Sequence, residues 1–396
     1  MDQAISSLSN LLLAVVVANV SSVSEFGTFG IGFSVYLLTQ GVARSLAGEP
    51  ILLYSREWMD GGHSHARQMR GGAVWGGSLI AAAASAVLLA VSLLAPIANR
   101  SILLMFAAVL PALIGVDLMR YLAFADLRAR RAAGIDITWL IVQLLITAPL
   151  LLTAQQSPAL LILAWGMGAL ATCGVNVASR NVRISGIESL VSFARAHGKA
   201  SRTFLGEYLT LSGVQQALVY VTLVVAGLSA VASLRGAQTI LGPATVLTGS
   251  ANLFLLPHAR TLRSESATKL VQFLAAAGGA MAGINLLAAG LILSVPDALG
   301  EQLLGASWHP ARSVALPLAC ALAVNSLSYG AAAGLRVSGL ARVSLRIRLV
   351  FVLPSLAGIA FGAAHAGAQG AVTGLLIISS IQSTVWWLNF LKSALR

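Results

Sequence analysis

Twelve runs of mostly apolar residues follow one another along this chain, at about 3–20, 28–48, 71–95, 101–123, 137–154, 157–178, 207–231, 236–256, 270–294, 312–332, 347–364 and 369–390. Each is close to the roughly 20 residues that an α-helix needs to cross the hydrocarbon of a bilayer. Lipid offers no partner to a peptide N–H or C=O, so each run must close its own backbone hydrogen bonds as a helix. Only 10% of the residues are charged and 57% are hydrophobic, where an ordinary soluble domain is about 25% charged. The spans consume most of the 396 residues, so no room remains for a sizeable soluble domain. The expected fold is an all-α polytopic membrane protein. The first run has no small-residue cleavage pattern after it, so it reads as a retained helix and not as a cleaved leader.

The net charge of +12 could suggest a nucleic-acid partner, but its distribution argues otherwise. Twenty of the 25 Lys and Arg lie in 49–70, 124–136, 179–206, 257–269, 336–348 and the C-terminus. Arg44 and Arg120 lie near the ends of the second and fourth runs, and only Arg100, Arg235 and Arg312 fall in the alternate loops. Cytoplasmic loops carry the Lys/Arg excess, which places both termini in the cytoplasm of a cell-membrane protein. No basic cluster is interleaved with aromatics on a folded domain, so nucleic acid is not expected. Cys173 and Cys320 fall inside spans and make no disulfide framework. His63 and His65 lack the further ligands of a metal site. AHGKAS at 196–201 lacks the first glycine of a P-loop, with Phe193 in its place, and follows its Lys with Ala200. No metal, no cofactor and no enzymatic activity are expected.

An internal repeat appears at an offset of 207 to 208. Tyr121, Ala123, Ala125, Leu127 and Arg128 match Tyr329, Ala331, Ala333, Leu335 and Arg336, and Asp117 matches Asn325. Pro50 and Arg56 likewise match Pro257 and Arg263. Residues 1–178 then form one six-helix lobe, 179–206 a basic cytoplasmic linker, and 207–396 a second lobe. An even number of spans makes the lobes parallel, and transporters built this way often place their path at the repeat interface. The linker carries Arg180, Arg183, Arg195, Lys199 and Arg202 among Leu190, Val191 and Phe193. It reads either as an amphipathic helix on anionic lipid or as a solvated connector.

Polar groups within hydrocarbon are costly and usually face a bundle interior or a cavity. Tyr36, Gln40 and Arg44 are spaced by four and share one helix face, as do Asp2, Ser6 and Asn10. Asp117, Arg120 and Tyr121 stand at i, i+3 and i+4. For Asp117 and Arg120 the simpler reading is mutual neutralisation, with Arg120 snorkelling to the headgroups. Asp136 reads as either an N-cap or a functional acid. Trp139 and Trp308 read as interfacial anchors, and Gly330/Gly334 and Gly279/Gly283 as close-packing pairs. In LRGAQTILGPATVL (234–247), Arg235 is expected at the outer mouth of a span, Gln238 one turn further in, and Gly242-Pro243 as a hinge.

The segments DQAISSLSNLLLAVVVA, SEFGTFGIGF and RSLAGEPILL resemble the N-terminal half of bacterial polysaccharide transporters. These are the Wzx-type lipid-linked oligosaccharide flippases of the multidrug/oligosaccharidyl-lipid/polysaccharide exporter superfamily. DLMRYLAFADLRARRAAGIDITW, SLRGAQTILGPATVL and LPHAR resemble an actinobacterial-looking branch of that group. The resemblance implies two six-helix lobes in a V around a central cavity that opens to each side in turn. It implies a polyprenyl-diphosphate-linked glycan as cargo, moved from the inner to the outer leaflet for surface polysaccharide synthesis. Membrane lipids and a glycan polymerase or ligase would be the other partners. Arginine suits phosphate oxygens, and the matching positions are Arg44, Arg120 and Arg235; a dense ring of mid-membrane Arg or Lys is missing. The alternatives are an ion-coupled drug/cation antiporter of the same superfamily and a non-transporting scaffold for glycan assembly. Asn10, Tyr36, Gln40, Asp117, Gln238 and Asn325 complete the candidate cavity lining.

Overall fold

A computed structural model describes residues 2–94, 96–153, 156–178 and 187–394, with only the backbone described at 2–6, 97–98 and 252–254. Among the described residues all regular structure is helical. The chain runs through α1 (Asp2–Val20), α2 (Val23–Ala43), a π-helical segment Arg44–Gly48, α3 (Glu49–Asp60), α4 (His63–Leu94), α5 (Ile97–Ala125), α6 (Ala129–Leu152) and α7 (Pro158–Ala178). It continues through α8 (Glu188–Ile240), α9 (Gly242–Glu265), α10 (Ala267–Ser294), α11 (Asp297–Leu304), a 3-10 turn Gly305–Ser307, α12 (Trp308–Val337) and α13 (Ala341–Ala394). Within the described residues the twelve apolar runs lie almost wholly on these helices. Nine helical stretches among the described residues are long and apolar enough to cross a membrane, and the chain is a multi-pass membrane protein.

Two helices are too long for one crossing. α8 has 53 residues and α13 has 54, about 80 Å each at the α-helical rise, against a hydrocarbon core of about 30 Å. Each is broken. α8 leaves helical geometry at Gly227 (φ 80°, ψ −174°), and α13 does so at Ala366 and Gly367 (φ 55°, ψ −137°). Glycine takes positive φ without the steric cost other residues meet. The seventh and eighth runs therefore part at Gly227 and not at 232–235. Gly227 lies within VVAGLSAV, where hydropathy does not dip. Arg235, expected at a helix end, sits eight residues beyond the break, about two turns inside the second arm.

The chain divides into two compact units, Met1–Ser21 with Thr28–Gly213 and Ser22–Gly27 with Val214–Arg396. The divisions fall between α1 and α2, inside α2 and inside α8. In the first unit α5 packs on α3, α4, α6 and α7, while α1 packs on α6 and α7. In the second unit α12 packs on α9, α10, α11 and α13. Tyr121, Ala123 and Ala125 thus lie on the central helix of the first unit and Tyr329, Ala331 and Ala333 on that of the second, while Pro50 and Arg56 lie on α3 and Pro257 and Arg263 on α9. Each of the two central helices carries an internal proline, Pro111 and Pro317.

The two cores use different chemistry. The first centres on Trp165, whose ring lies 5.0 Å from Tyr36, 6.0 Å from Phe33 and 5.8 Å from Trp139, centroid to centroid. The second packs small residues of α12 against large ones. Ala331 and Gly334 are buried, Gly334 against the Phe390 ring, and a Cβ at Gly330 would meet the Leu274 carbonyl at 2.7 Å. Gly279 and Gly283 are not a packing pair, because a Cβ at either meets nothing within 4 Å; the contact is made at Gly278, where a Cβ would stand 3.3 Å from the Leu327 Cα. Part of the basic linker is helix as well. Residues 188–206 form the start of α8, with Phe193 buried against the Trp58 ring and Trp58 Nε1 donating to His197 Nε2 at 2.9 Å. Protein thus covers Phe193. Arg180 and Arg183 lie outside the described residues.

Ser22 and Glu25 form a capping box at the start of α2. The Glu25 carboxylate accepts from the Ser22 N–H at 2.9 Å and from its hydroxyl at 2.8 Å, and the Glu25 N–H donates back to Ser22 Oγ at 3.3 Å. Such caps satisfy backbone donors that the first turn leaves open. Ser22→Ala should cost about 1 kcal/mol, read as a lower melting temperature of the detergent-purified protein; an unchanged melting temperature would remove the cap from the account.

Candidate functional site

In the first unit four charged side chains from three helical segments form one chain of alternating sign. The face of α2 that carries Tyr36 and Gln40 ends on Arg44, the first residue of the π-helical segment. There the Glu49 N–H reaches back five residues to the Arg44 carbonyl. Single π turns inside α-helices often occur at functional sites. Here the turn shifts the register after the Tyr36–Gln40–Arg44 face, and the Leu46 carbonyl accepts a hydrogen bond from Ser201 Oγ at 2.9 Å.

Arg44 grips Asp117 of α5 side-on. Its Nε donates to Oδ2 at 2.7 Å and its Nη2 to Oδ1 at 2.6 Å. Bidentate arginine–carboxylate pairs of this kind are among the strongest charge-assisted hydrogen bonds. Gln40 Nε2 donates to Asp117 Oδ1 at 3.3 Å and to the Tyr36 hydroxyl at 2.8 Å. Arg120 Nη1 lies 3.6 Å from Asp117 Oδ1, and Arg120 Nε lies 3.2 Å from Asp136 Oδ1 of α6. The side chains of Asp117, Arg120 and Asp136 are 4%, 8% and 0% exposed, whereas that of Arg44 is 36% exposed. The Arg44 guanidinium also stands 5.9 Å from the Tyr121 ring centroid, within cation–π range. Two arginines and two aspartates sum to no charge. That balance makes the burial possible, because an isolated ion in this setting would cost several kcal/mol.

Several expectations need correction. Asp136 is not an N-cap; α6 starts at Ala129, with Arg128 before it, so Asp136 lies seven residues inside. The helix begins in the polar turn ARRAAG, which no apolar window includes. Arg120 does not snorkel to the headgroups, being buried between two carboxylates, and the main partner of Asp117 is Arg44. Trp139 and Trp308 are buried, 2% and 1% exposed, and are not interfacial anchors. Their indoles donate to the Trp165 carbonyl at 3.0 Å and to Asp297 Oδ1 at 2.9 Å.

The structure thus brings together Tyr36, Gln40, Arg44, Asp117 and Arg120. Asn10 lies half-buried on α1, and the side chains of Asp2 and Ser6 lie outside those described. Arg235, Gln238 and Asn325 belong to the second unit. There Asn325 Nδ2 donates to the Tyr329 hydroxyl at 3.1 Å, so the repeat position of Asp117 carries no charge. Gly242 and Pro243 open α9. The backbone hydrogen bonds Leu241 to Ala237 and Thr245 to Leu241, both 3.1 Å, keep that joint helical, and Pro243 sits in the first turn, where its missing N–H costs little. Ser201 and Tyr208 were missed by sequence reasoning. The Tyr208 ring covers Gly41 and its hydroxyl donates to the Leu37 carbonyl at 3.4 Å. The tight Gly41, three residues before Arg44 and opposite an aromatic far along the chain, leaves no local signal.

No protein-family model matches the sequence, and no curated protein matches it. The fold is shared with solved structures. An inward-facing multidrug resistance MATE family transporter of the MOP superfamily matches with a TM-score of 0.69 at 13% identity, over 98% of this chain and 94% of that one. The lipid II flippase MurJ, in an inward closed conformation, matches with 0.72 at 11% identity, over 100% and 89%. A MOP superfamily transporter from Pyrococcus furiosus Vc1 matches with 0.52 at 14% identity, over 99% and 93%. The chain has the all-helical, polytopic fold of MOP-superfamily transporters.

Proposed function

We propose that this protein is a membrane transporter that moves a polyprenyl-diphosphate-linked glycan across the cytoplasmic membrane by alternating access. The observation that carries the reading is the state of Arg44. It is the one member of the buried ion chain with substantial exposure. A guanidinium has five N–H donors, and among the described residues Asp117 accepts from two of those on Arg44. Guanidinium donors of this kind suit phosphate oxygens. The resemblance of the quoted segments to lipid-linked oligosaccharide flippases and the fold shared with a lipid II flippase support the same cargo class.

Mass spectrometry of lipids co-purified with the protein should find a polyprenyl diphosphate glycan, and Arg44→Gln should remove it. Depletion of the protein should leave lipid-linked sugar on the inner leaflet. Unchanged surface glycan with no such accumulation would sink the reading. A drug/cation antiporter would need an acid free to exchange cations, and the fold shared with MATE transporters keeps that class in view. Asp117 and Asp136 are each held by an arginine, which favours the anionic cargo. Altered drug sensitivity on overexpression would favour the antiporter instead. A scaffold would tolerate Arg44→Ala and Arg235→Ala while remaining necessary for glycan assembly.

A further inference from the structure

We propose that Asp117 is a tethered competitor of the cargo: it holds Arg44 in the empty protein and passes to Arg120 when a diphosphate takes its seat. The inference rests on the anionic-cargo reading and adds the device that selects among anions.

Three observations carry it. First, the two-bond grip of Arg44 on Asp117, at 2.6 and 2.7 Å, uses the same guanidinium edge that would receive two phosphate oxygens. Second, the exposure is lopsided, 36% for Arg44 against 4% for Asp117, so an incoming ligand meets the arginine and not the carboxylate. Third, Asp117 has a second cation waiting. Arg120 Nη1 is 3.6 Å from Oδ1, while Asp136 engages Arg120 through Nε at 3.2 Å. A shift of under an ångström would bring Nη1 into ordinary charge-assisted range, about 2.7–2.9 Å. Gln40 already donates to the same oxygen at 3.3 Å and can follow it.

Charge makes exchange the favoured route. The four ions sum to zero, so an anion added to Arg44 with Asp117 in place would confront a carboxylate at close range and low dielectric. Moving Asp117 onto Arg120 keeps that carboxylate paired and frees the Arg44 edge. The exchange also sets a threshold. A side chain fixed beside its partner acts as a ligand at high effective concentration, millimolar or above. A singly charged phosphodiester, the headgroup of common membrane lipids, gains little over a tethered carboxylate. A diphosphate brings more charge and more acceptor oxygens and displaces it. Asp117 therefore keeps abundant lipids off Arg44.

The test is equilibrium binding to the full-length protein in detergent micelles. The probes are farnesyl diphosphate, inorganic pyrophosphate, phosphatidylglycerol and farnesol. The wild type should bind farnesyl diphosphate and ignore phosphatidylglycerol and farnesol. Asp117→Asn should bind farnesyl diphosphate roughly tenfold more tightly and should now also bind phosphatidylglycerol, since close charge pairs carry couplings of that order or more. Arg120→Gln, which removes the waiting partner, should weaken binding roughly tenfold, and Arg44→Gln should abolish it. Equal tightening for pyrophosphate supports the exchange and assigns the seat to free diphosphate chemistry; tightening confined to farnesyl diphosphate supports it and assigns the seat to a lipid headgroup. If the wild type binds but Asp117→Asn binds no more tightly, Asp117 serves to aim Arg44 and the exchange falls while the cargo class stands. If neither binds any anion, the cargo class falls and the exchange with it. Should Asp117→Asn fail to fold, Arg120→Gln decides: equal or tighter binding overturns the proposal.

Discussion

Gly362→Val or Gly370→Val will leave almost no folded protein in the membrane. The two arms of α13 run back along each other from the break at Ala366–Gly367, and four glycines line the contact. A Cβ at Gly362 would overlap the Gly370 carbonyl, and one at Gly370 the Gly362 carbonyl; at Gly374 it would overlap the Gly358 carbonyl, and at Gly358 it would stand 3.0 Å from the Gly374 oxygen. The obstacles are backbone atoms, which cannot turn aside as a side chain can. Helices in lipid gain association energy from van der Waals contact between closely approaching backbones, and glycine at every fourth residue permits it. Overpacking of this severity costs about 3 kcal/mol or more. Gly213→Ala and Gly290→Ala are the matched controls, since a Cβ at either meets nothing within 4 Å. Fluorescence-detected size exclusion and melting in detergent read the effect. A Gly362→Val protein that melts with the parent would reject the close contact.

Asp136→Leu should destabilise the protein by about 3 kcal/mol, because it takes the nearer counter-ion from a buried arginine. Arg120 is 8% exposed and Asp136 fully buried at 3.2 Å from it. Arg120→Met alone should cost a similar amount by taking an arginine from the buried Asp136 carboxylate. The double variant Arg120→Met/Asp136→Leu should be more stable than either single one, since a packed apolar pair often replaces a buried ion pair without loss. Melting temperatures of the four proteins complete a double-mutant cycle. Costs that simply add would mean that the two side chains do not act as a pair.

Much of the helix inventory was legible because hydropathy reports length and composition directly. The break at Gly367 was legible too, since His365 and Gln369 interrupt the apolar run there. The one at Gly227 was not, because its neighbours are as apolar as the helices it joins. Helical spacing correctly put Tyr36, Gln40 and Arg44 on one face. It could not find the partner of Arg44, which lies 73 residues away on another helix. Sequence proximity paired Asp117 with Arg120, the weaker of its two ion contacts. The π-helical turn at Arg44–Gly48 was invisible as well, since one inserted residue leaves composition untouched while rotating everything after it. Gly358, Gly362, Gly370 and Gly374 carry the spacing of a packing motif, yet only the fold shows that the pairs face each other. Gly279 and Gly283 have the same spacing and meet nothing.

The zero sum of Arg44, Asp117, Arg120 and Asp136 has an electrical meaning. Each elementary charge carried across a membrane does work against or with the potential, about 2.3 kcal/mol for every 100 mV. A balanced set of ions that moves as a unit does none. On the proposed transport cycle, reorienting these four charges together would do no net work against the potential, and a voltage dependence would report other charges, the passenger's among them.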